Sequence, residues 1–85
     1  MNFNCINRTG DALTLFDGTS TLMVLANNQS GQHIQLLVTA IKLGKATVQY
    51  ARKSGAFVGG HTYVAAIENH NVVFRADGQP VVVFG

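Results

Sequence analysis

Short apolar runs, separated by turn residues at intervals of roughly ten positions, constrain the fold of this chain more than any other feature. Gly, Asn and Asp, which accept the positive φ of tight turns, lie between the runs. This spacing is typical of a β-sandwich or barrel and not of alternating strands and helices. We therefore expect residues 1–85 to form a single all-β domain, a small sandwich or barrel of seven to eight short, mostly antiparallel strands. The predicted strands are 3–7, 12–16, 21–26, 34–43, 46–51, 62–68, 71–76 and 81–84.

Residues 34–53 allow a second interpretation. Ile34, Leu37, Val38 and Ile41 recur at the spacing of an amphipathic helix. Against a helix, Gly44 interrupts the segment, and several of its residues lose rotamer freedom in helices. These residues are Thr39, Thr47, Val48 and Tyr50. We favour two strands joined near Gly44, with a helix as the alternative.

The C-terminal segment predicts a β-hairpin. An Asp-Gly dipeptide at 77–78 lies between two valine-rich runs, a strong signal for a two-residue loop. This loop would place Phe74 opposite Val81 and leave apolar side chains on both faces of the hairpin. Pro80 has no amide proton and favours an edge strand, which would need a cover. The cover would come from residues 54–60 or from a second subunit.

Charge is scarce in this sequence, and this points to contact with a partner. Only 12% of residues are charged, against about 25% in typical domains. The centres of protein interfaces are similarly depleted in charge. We expect a structural or protein-interaction module that binds itself or a larger protein, as small viral or phage accessory proteins do in capsid decoration or in inhibiting a host protein. The candidate contact residues are Val73, Phe74, Pro80, Val82, Phe84 and Phe57.

Catalytic and metal-binding patterns are not found in the sequence. Cys5 is the single cysteine, and His33, His61 and His70 do not have the spacing of metal ligands. Three of the four acidic residues lie in turns beside glycines, where turn formation explains them. We therefore expect no enzyme activity, no metal and no cofactor.

Two alternative functions remain open. The first is a small β-barrel that binds single-stranded nucleic acid, because four of the six basic residues cluster around one tyrosine. The residues concerned are Lys42, Lys45, Tyr50, Arg52 and Lys53. The net charge of +2 is only weakly basic, however. The second alternative is a lectin-like domain that binds carbohydrate through Asn, Gln and Tyr side chains in its loops.

The start of the chain does not resemble a targeting segment. Residues 1–5 are polar, without the basic and apolar regions of a signal peptide. The longest apolar runs are far shorter than the roughly 20 residues of a membrane-spanning helix. We expect no membrane association and a cytoplasmic location, in a cell or a virus-infected cell, with a virion as the alternative.

Overall fold

A computed structural model of the protein describes residues 1–34, 37–45 and 49–85. These ranges form nine strands, which confirms the all-β class. The strands are β1 Asn2–Asn7, β2 Leu13–Asp17, β3 Ser20–Leu25, β4 Ser30–Ile34, β5 Ala40–Leu43, β6 Gln49–Gly55, β7 Thr62–Glu68, β8 Asn71–Ala76 and β9 Gln79–Phe84. Within the same ranges, no helix has the length and apolar character needed to cross a membrane.

The nine strands belong to one sheet that curls into a nearly closed barrel. Their order is β3-β2-β5-β6-β9-β8-β7-β1-β4. All pairs are antiparallel except β1 and β7, which run parallel. The end strands β3 and β4 approach each other at a seam. A Cβ atom on Gly31 of β4 would lie 2.9 Å from Leu25 Cδ2 and 3.0 Å from Met23 Sδ, so this glycine lets the β3 side chains pack against the backbone of β4.

The middle of the chain contains one strand more than expected. The predicted strand 34–43 is wrong as a single element, because β4 ends at Ile34 and β5 begins only at Ala40. β4 starts at Ser30, in a segment that was expected to be a turn, and pairing with β1 holds it extended. The preference for two strands over a helix is confirmed for the described residues, since β5 and β6 pair antiparallel and Gly44 (φ 64°) follows β5. Residues 35–36 and 46–48, which belong to the predicted strands, lie outside the described residues.

The C-terminal hairpin has the predicted loop but a different register. Asp77 (φ 56°) and Gly78 (φ 79°) form the two-residue loop. Phe74, however, lies opposite Val82 and not opposite Val81, because a bulge next to Pro80 leaves Val81 without a partner in β8. A bulge is a usual place for a proline in a ladder, since proline cannot donate a hydrogen bond.

The bulge decides which side chains enter the core. It turns Val82 and Phe84 to the same face as Val72 and Phe74, and all four are fully buried. The expected edge position of β9 is also wrong, because β9 pairs with β8 on one side and with β6 on the other. The hairpin is therefore covered by residues of its own chain.

Asn7 is a buried polar side chain at the end of β1. Its Nδ2 group donates hydrogen bonds to the carbonyl oxygens of Asp11 (2.7 Å), Leu25 (3.0 Å) and Ala26 (3.1 Å). Its Oδ1 atom accepts hydrogen bonds from Thr9, from the amide at 3.0 Å and from Oγ1 at 2.7 Å. Through these hydrogen bonds, Asn7 holds the loop after β1 against the end of β3.

Candidate functional site

The contact residues expected from the hairpin lie mostly in the core. Phe74, Val82 and Phe84 are completely buried, and Phe57 is only 3% exposed. These four side chains contact other core residues and offer no surface to a partner. Of the six expected residues, only Val73 and Pro80 lie outside the core cluster. The bulge explains the correction, since the expected register would have turned Val82 and Phe84 away from Phe74.

Phe57 closes one end of the barrel. Its ring stacks on Phe3 at a centroid distance of 4.7 Å and meets Tyr63 and Phe74 edge to face, both at 4.9 Å. The neighbouring Val58 amide donates a hydrogen bond to the Tyr63 hydroxyl at 2.8 Å. The loop between β6 and β7 is therefore fixed as a plug, which accounts for its aromatic residue without a binding role.

Five apolar side chains form a continuous strip on the outer face of the barrel. The register places Ile6 beside Val64, Ala66 beside Val73, and Val73 beside Val83, across β1, β7, β8 and β9. Alternate residues of these strands, such as Val72 and Phe74, point inward. We call this group the outer strip: Ile6, Val64, Ala66, Val73 and Val83.

An ion pair crosses the outer strip. Arg75 donates to both carboxylate oxygens of Glu68, from Nε at 2.7 Å and from Nη2 at 2.5 Å. The two residues lie diagonally on either side of the Ala66–Val73 pair. The pair covers Val73, which explains why this outward residue is only 6% exposed although it is not part of the core cluster. The hydrogen bonds from Arg75 lower the pKa of Glu68, and those to Glu68 raise the pKa of Arg75.

The structure does not gather the five expected nucleic-acid contacts on one face. Lys42 lies on the outer face of β5, whereas Tyr50 points inward and packs against the core. Arg52 donates a hydrogen bond from Nη1 to the Val38 carbonyl at 3.2 Å. The remaining two residues are Lys45, which is exposed in the turn after β5, and Lys53, whose Nζ lies 3.5 Å from Asn71 Oδ1. Tyr50 is therefore not placed to stack on a base beside these cations.

The cysteine and the histidines lie apart. Cys5 is fully buried on the inner face of β1, and burial raises the pKa of its thiol to about 12. His33 lies on β4, His61 precedes β7, and His70 occupies the turn between β7 and β8. In the part of the chain that the structure describes, no three His, Cys, Asp or Glu residues are close enough to hold a metal ion.

A shallow polar depression lies next to the outer strip, on the outer face of β4, β1 and β7. Its volume is about 290 Å³, and it is lined by Asn4, Ile6, Ser30, Gly31, Gln32 and Thr62. The register aligns Gln32, Asn4 and Thr62 across the three strands, and places Ser30 beside Ile6. This site was not predicted from the sequence. The alternation Asn-Phe-Asn-Cys at the start of β1 was a signal for a polar outer face, but the partners of that strand could not be read from it.

Comparisons with known proteins identify no relative of this chain. No family model matches it, and no match is found among curated proteins or solved structures.

Proposed function

We propose that this chain is a non-enzymatic protein-interaction module that associates with a second copy of itself through the outer strip. The observation that carries the proposal is the continuity of five apolar side chains on an outward sheet face, in a chain with 12% charged residues. Contiguous apolar surface with a polar rim marks interaction sites in soluble proteins. The polar border here consists of Asn4 and Thr62 at one end, while the Arg75–Glu68 ion pair lies across the strip at Val73.

A second copy is the partner that fits the charges of this face. A two-fold interface brings the same patch of both subunits together, so the patch must complement itself. The outer strip is crossed by one cation, Arg75, and one anion, Glu68, and these charges balance within each copy. Neither copy would therefore repel the other. Sheets packed face to face lie about 10 Å apart, a gap that side chains such as valine fill.

The association is tested by light scattering after size-exclusion chromatography, over a range of concentrations. We expect a monomer–dimer equilibrium with micromolar or weaker affinity, because five small side chains form less than a standard interface. Val64→Lys should shift the equilibrium to monomer, since it places a charge in the middle of the outer strip, where Val64 is 38% exposed. Val24→Lys is the matched control, because Val24 is a 60% exposed valine on β3, away from the strip.

The comparison of Val64→Lys with Val24→Lys distinguishes an effect at the outer strip from a general effect of added charge. Both add one positive charge to an exposed strand position, so general repulsion or altered solubility would affect them equally. A wild-type protein that remains monomeric at high micromolar concentration contradicts the self-association. A dimer that Val64→Lys and Val24→Lys weaken to the same extent contradicts the assignment to the outer strip.

A further inference from the structure

The polar depression has the chemistry of a site for a small neutral ligand. Its lining offers two amide side chains, Asn4 and Gln32, and two hydroxyl side chains, Ser30 and Thr62. All six lining residues are uncharged, and this disfavours phosphate, carboxylate or a metal ion as the ligand. A volume of about 290 Å³ is at the lower end of the range for small-molecule sites.

The polar groups of the depression keep most of their hydrogen-bonding capacity. Asn4 Nδ2 donates to Thr62 Oγ1, and Asn2 Nδ2 donates to Gln32 Oε1, each at a long 3.3 Å. Within the described part of the chain, the Gln32 Nε2 group, the Asn4 Oδ1 atom and the Ser30 hydroxyl have no protein hydrogen bond. These groups supply donors and acceptors side by side on three neighbouring strands.

Ile6 gives the depression an apolar part of its floor. It lies between Ser30 and Val64 in the sheet, so one side of the depression is polar and the other is apolar. A ligand that fits must therefore carry hydroxyl-type groups along one edge and a C–H face beside them. The described lining has no aromatic ring on which a nucleobase would stack.

We propose that this depression binds a neutral sugar in its pyranose form, either free or at the end of a longer saccharide. Sugar hydroxyls both donate and accept hydrogen bonds, which matches the amides of Asn4 and Gln32 and the hydroxyls of Ser30 and Thr62. The C–H face of the ring rests on Ile6. The site is open and shallow, so the affinity for one sugar unit is in the millimolar range. This proposal does not depend on the self-association, although Ile6 belongs to both the depression and the outer strip.

An NMR titration of the isotope-labelled protein tests the site. The probes are neutral methyl glycosides of common hexoses and their disaccharides, added at millimolar concentrations to protein dilute enough to be monomeric. We expect saturable shifts for at least one probe, confined to the backbone amides around Asn4, Gly31 and Thr62. Gln32→Ala should weaken this binding about fivefold or more, because it removes a principal donor and acceptor. Gln49→Ala is the matched control, since Gln49 is an exposed glutamine on the outer face of β6, outside the depression.

Each other outcome overturns the proposal. No shift with any neutral glycoside removes the sugar site, whether or not the protein dimerises. Shifts that lie elsewhere, or that Gln32→Ala and Gln49→Ala weaken equally, remove the assignment to the depression. Tighter binding of a phosphorylated sugar than of its neutral parent, at physiological salt, contradicts a site built for an uncharged ligand.

Discussion

Asn7 shows how one side chain can organise a whole end of the barrel. It is fully buried, and its amide donates to three backbone carbonyl groups, of which that of Leu25 is buried. A buried carbonyl that loses its partner costs about 1–3 kcal/mol. The side chain therefore connects β1, the loop after it and the end of β3.

We expect Asn7→Ala to lower the free energy of unfolding by about 2 kcal/mol or more, since it removes a hydrogen bond from the buried Leu25 carbonyl and the acceptor of the Thr9 amide. For a domain of this size, this corresponds to a fall of at least about 8 °C in Tm. Urea and thermal denaturation measure both values. Asn4→Ala is the control on the same strand, because Asn4 makes one long hydrogen bond on the outer face, and it should cost under about 1 kcal/mol. Equal losses for the two variants would refute the role of Asn7.

Cys5 gives the protein a specific sensitivity to alkali. Burial raises the pKa of its thiol from 9.0 to about 12, so the folded state keeps a proton that the unfolded state releases above pH 9. Its contribution to stability is complete below pH 9 and falls as the pH rises toward 12. Between pH 8 and pH 10 we expect the wild type to lose about 1–2 kcal/mol more than Cys5→Ala loses. Urea denaturation of both proteins at the two pH values, under reducing conditions, measures this difference; parallel pH dependences would contradict it.

At the scale of elements, the bulge in β9 depends on a glycine in the neighbouring strand. Gly55 (φ 81°) ends β6 beside Val82, and a Cβ atom there would collide with the Val81 carbonyl oxygen. The bulge brings this carbonyl close to β6. The buried positions of Val82 and Phe84 therefore rest on the close approach that Gly55 permits.

Gly78 is the control that distinguishes the effect of this close approach from the effect of backbone strain. Gly78 (φ 79°) has nearly the same φ as Gly55, but a Cβ atom there would meet nothing within 4 Å. We expect Gly78→Ala to cost about 1–2 kcal/mol, from the left-handed conformation alone. Gly55→Ala should cost at least about 2 kcal/mol more, because backbone atoms have to move as well. Denaturation curves measure the free energy of unfolding of both variants. Similar losses would show that the bulge in β9 does not depend on the close approach of Gly55.

At the scale of the whole molecule, the sheet encloses an aromatic cluster, and the outer strip is one of several places where apolar side chains reach the surface. The accessible surface is 4729 Å². A typical specific interface takes about 800 Å² from each subunit, which is roughly a sixth of this surface. Self-association through the smaller outer strip would cover less than this, but it would add to the apolar area that folding buries in a chain this small. It would also make the apparent stability depend on concentration.

The sequence predicted those parts of the fold that local chemistry determines. The Asp77-Gly78 loop followed from residues that accept positive φ, and the strand segments followed from apolar runs. The register of β9 did not follow, because the burial of Phe84 against the rest of the core decides it. β4 was missed for a similar reason: its sequence Ser-Gly-Gln-His-Ile has a β-branched residue only at its last position, and pairing with β1 makes it a strand.

The candidate surfaces were less predictable than the fold. The sequence indicated a charge-poor contact surface, but it assigned Phe74 and Phe57 to that surface, and both lie inside the barrel. The outer strip and the depression each combine residues from distant parts of the chain, and only the strand order brings them together. No local pattern relates Asn4 to Thr62, although the two side chains share a hydrogen bond.

The parallel pairing of β1 with β7 also sets the order in which the chain can fold. β1 lies between β4 and β7, and its contact between Asn4 and Thr62 closes a loop of 58 residues. Loops of this length close slowly, and folds rich in such contacts fold slowly. During synthesis on the ribosome, β1 can pair with its second neighbour, β7, only after β7 has emerged. Until then β1 has a free edge, and the nascent barrel depends on β4 to cover its other side.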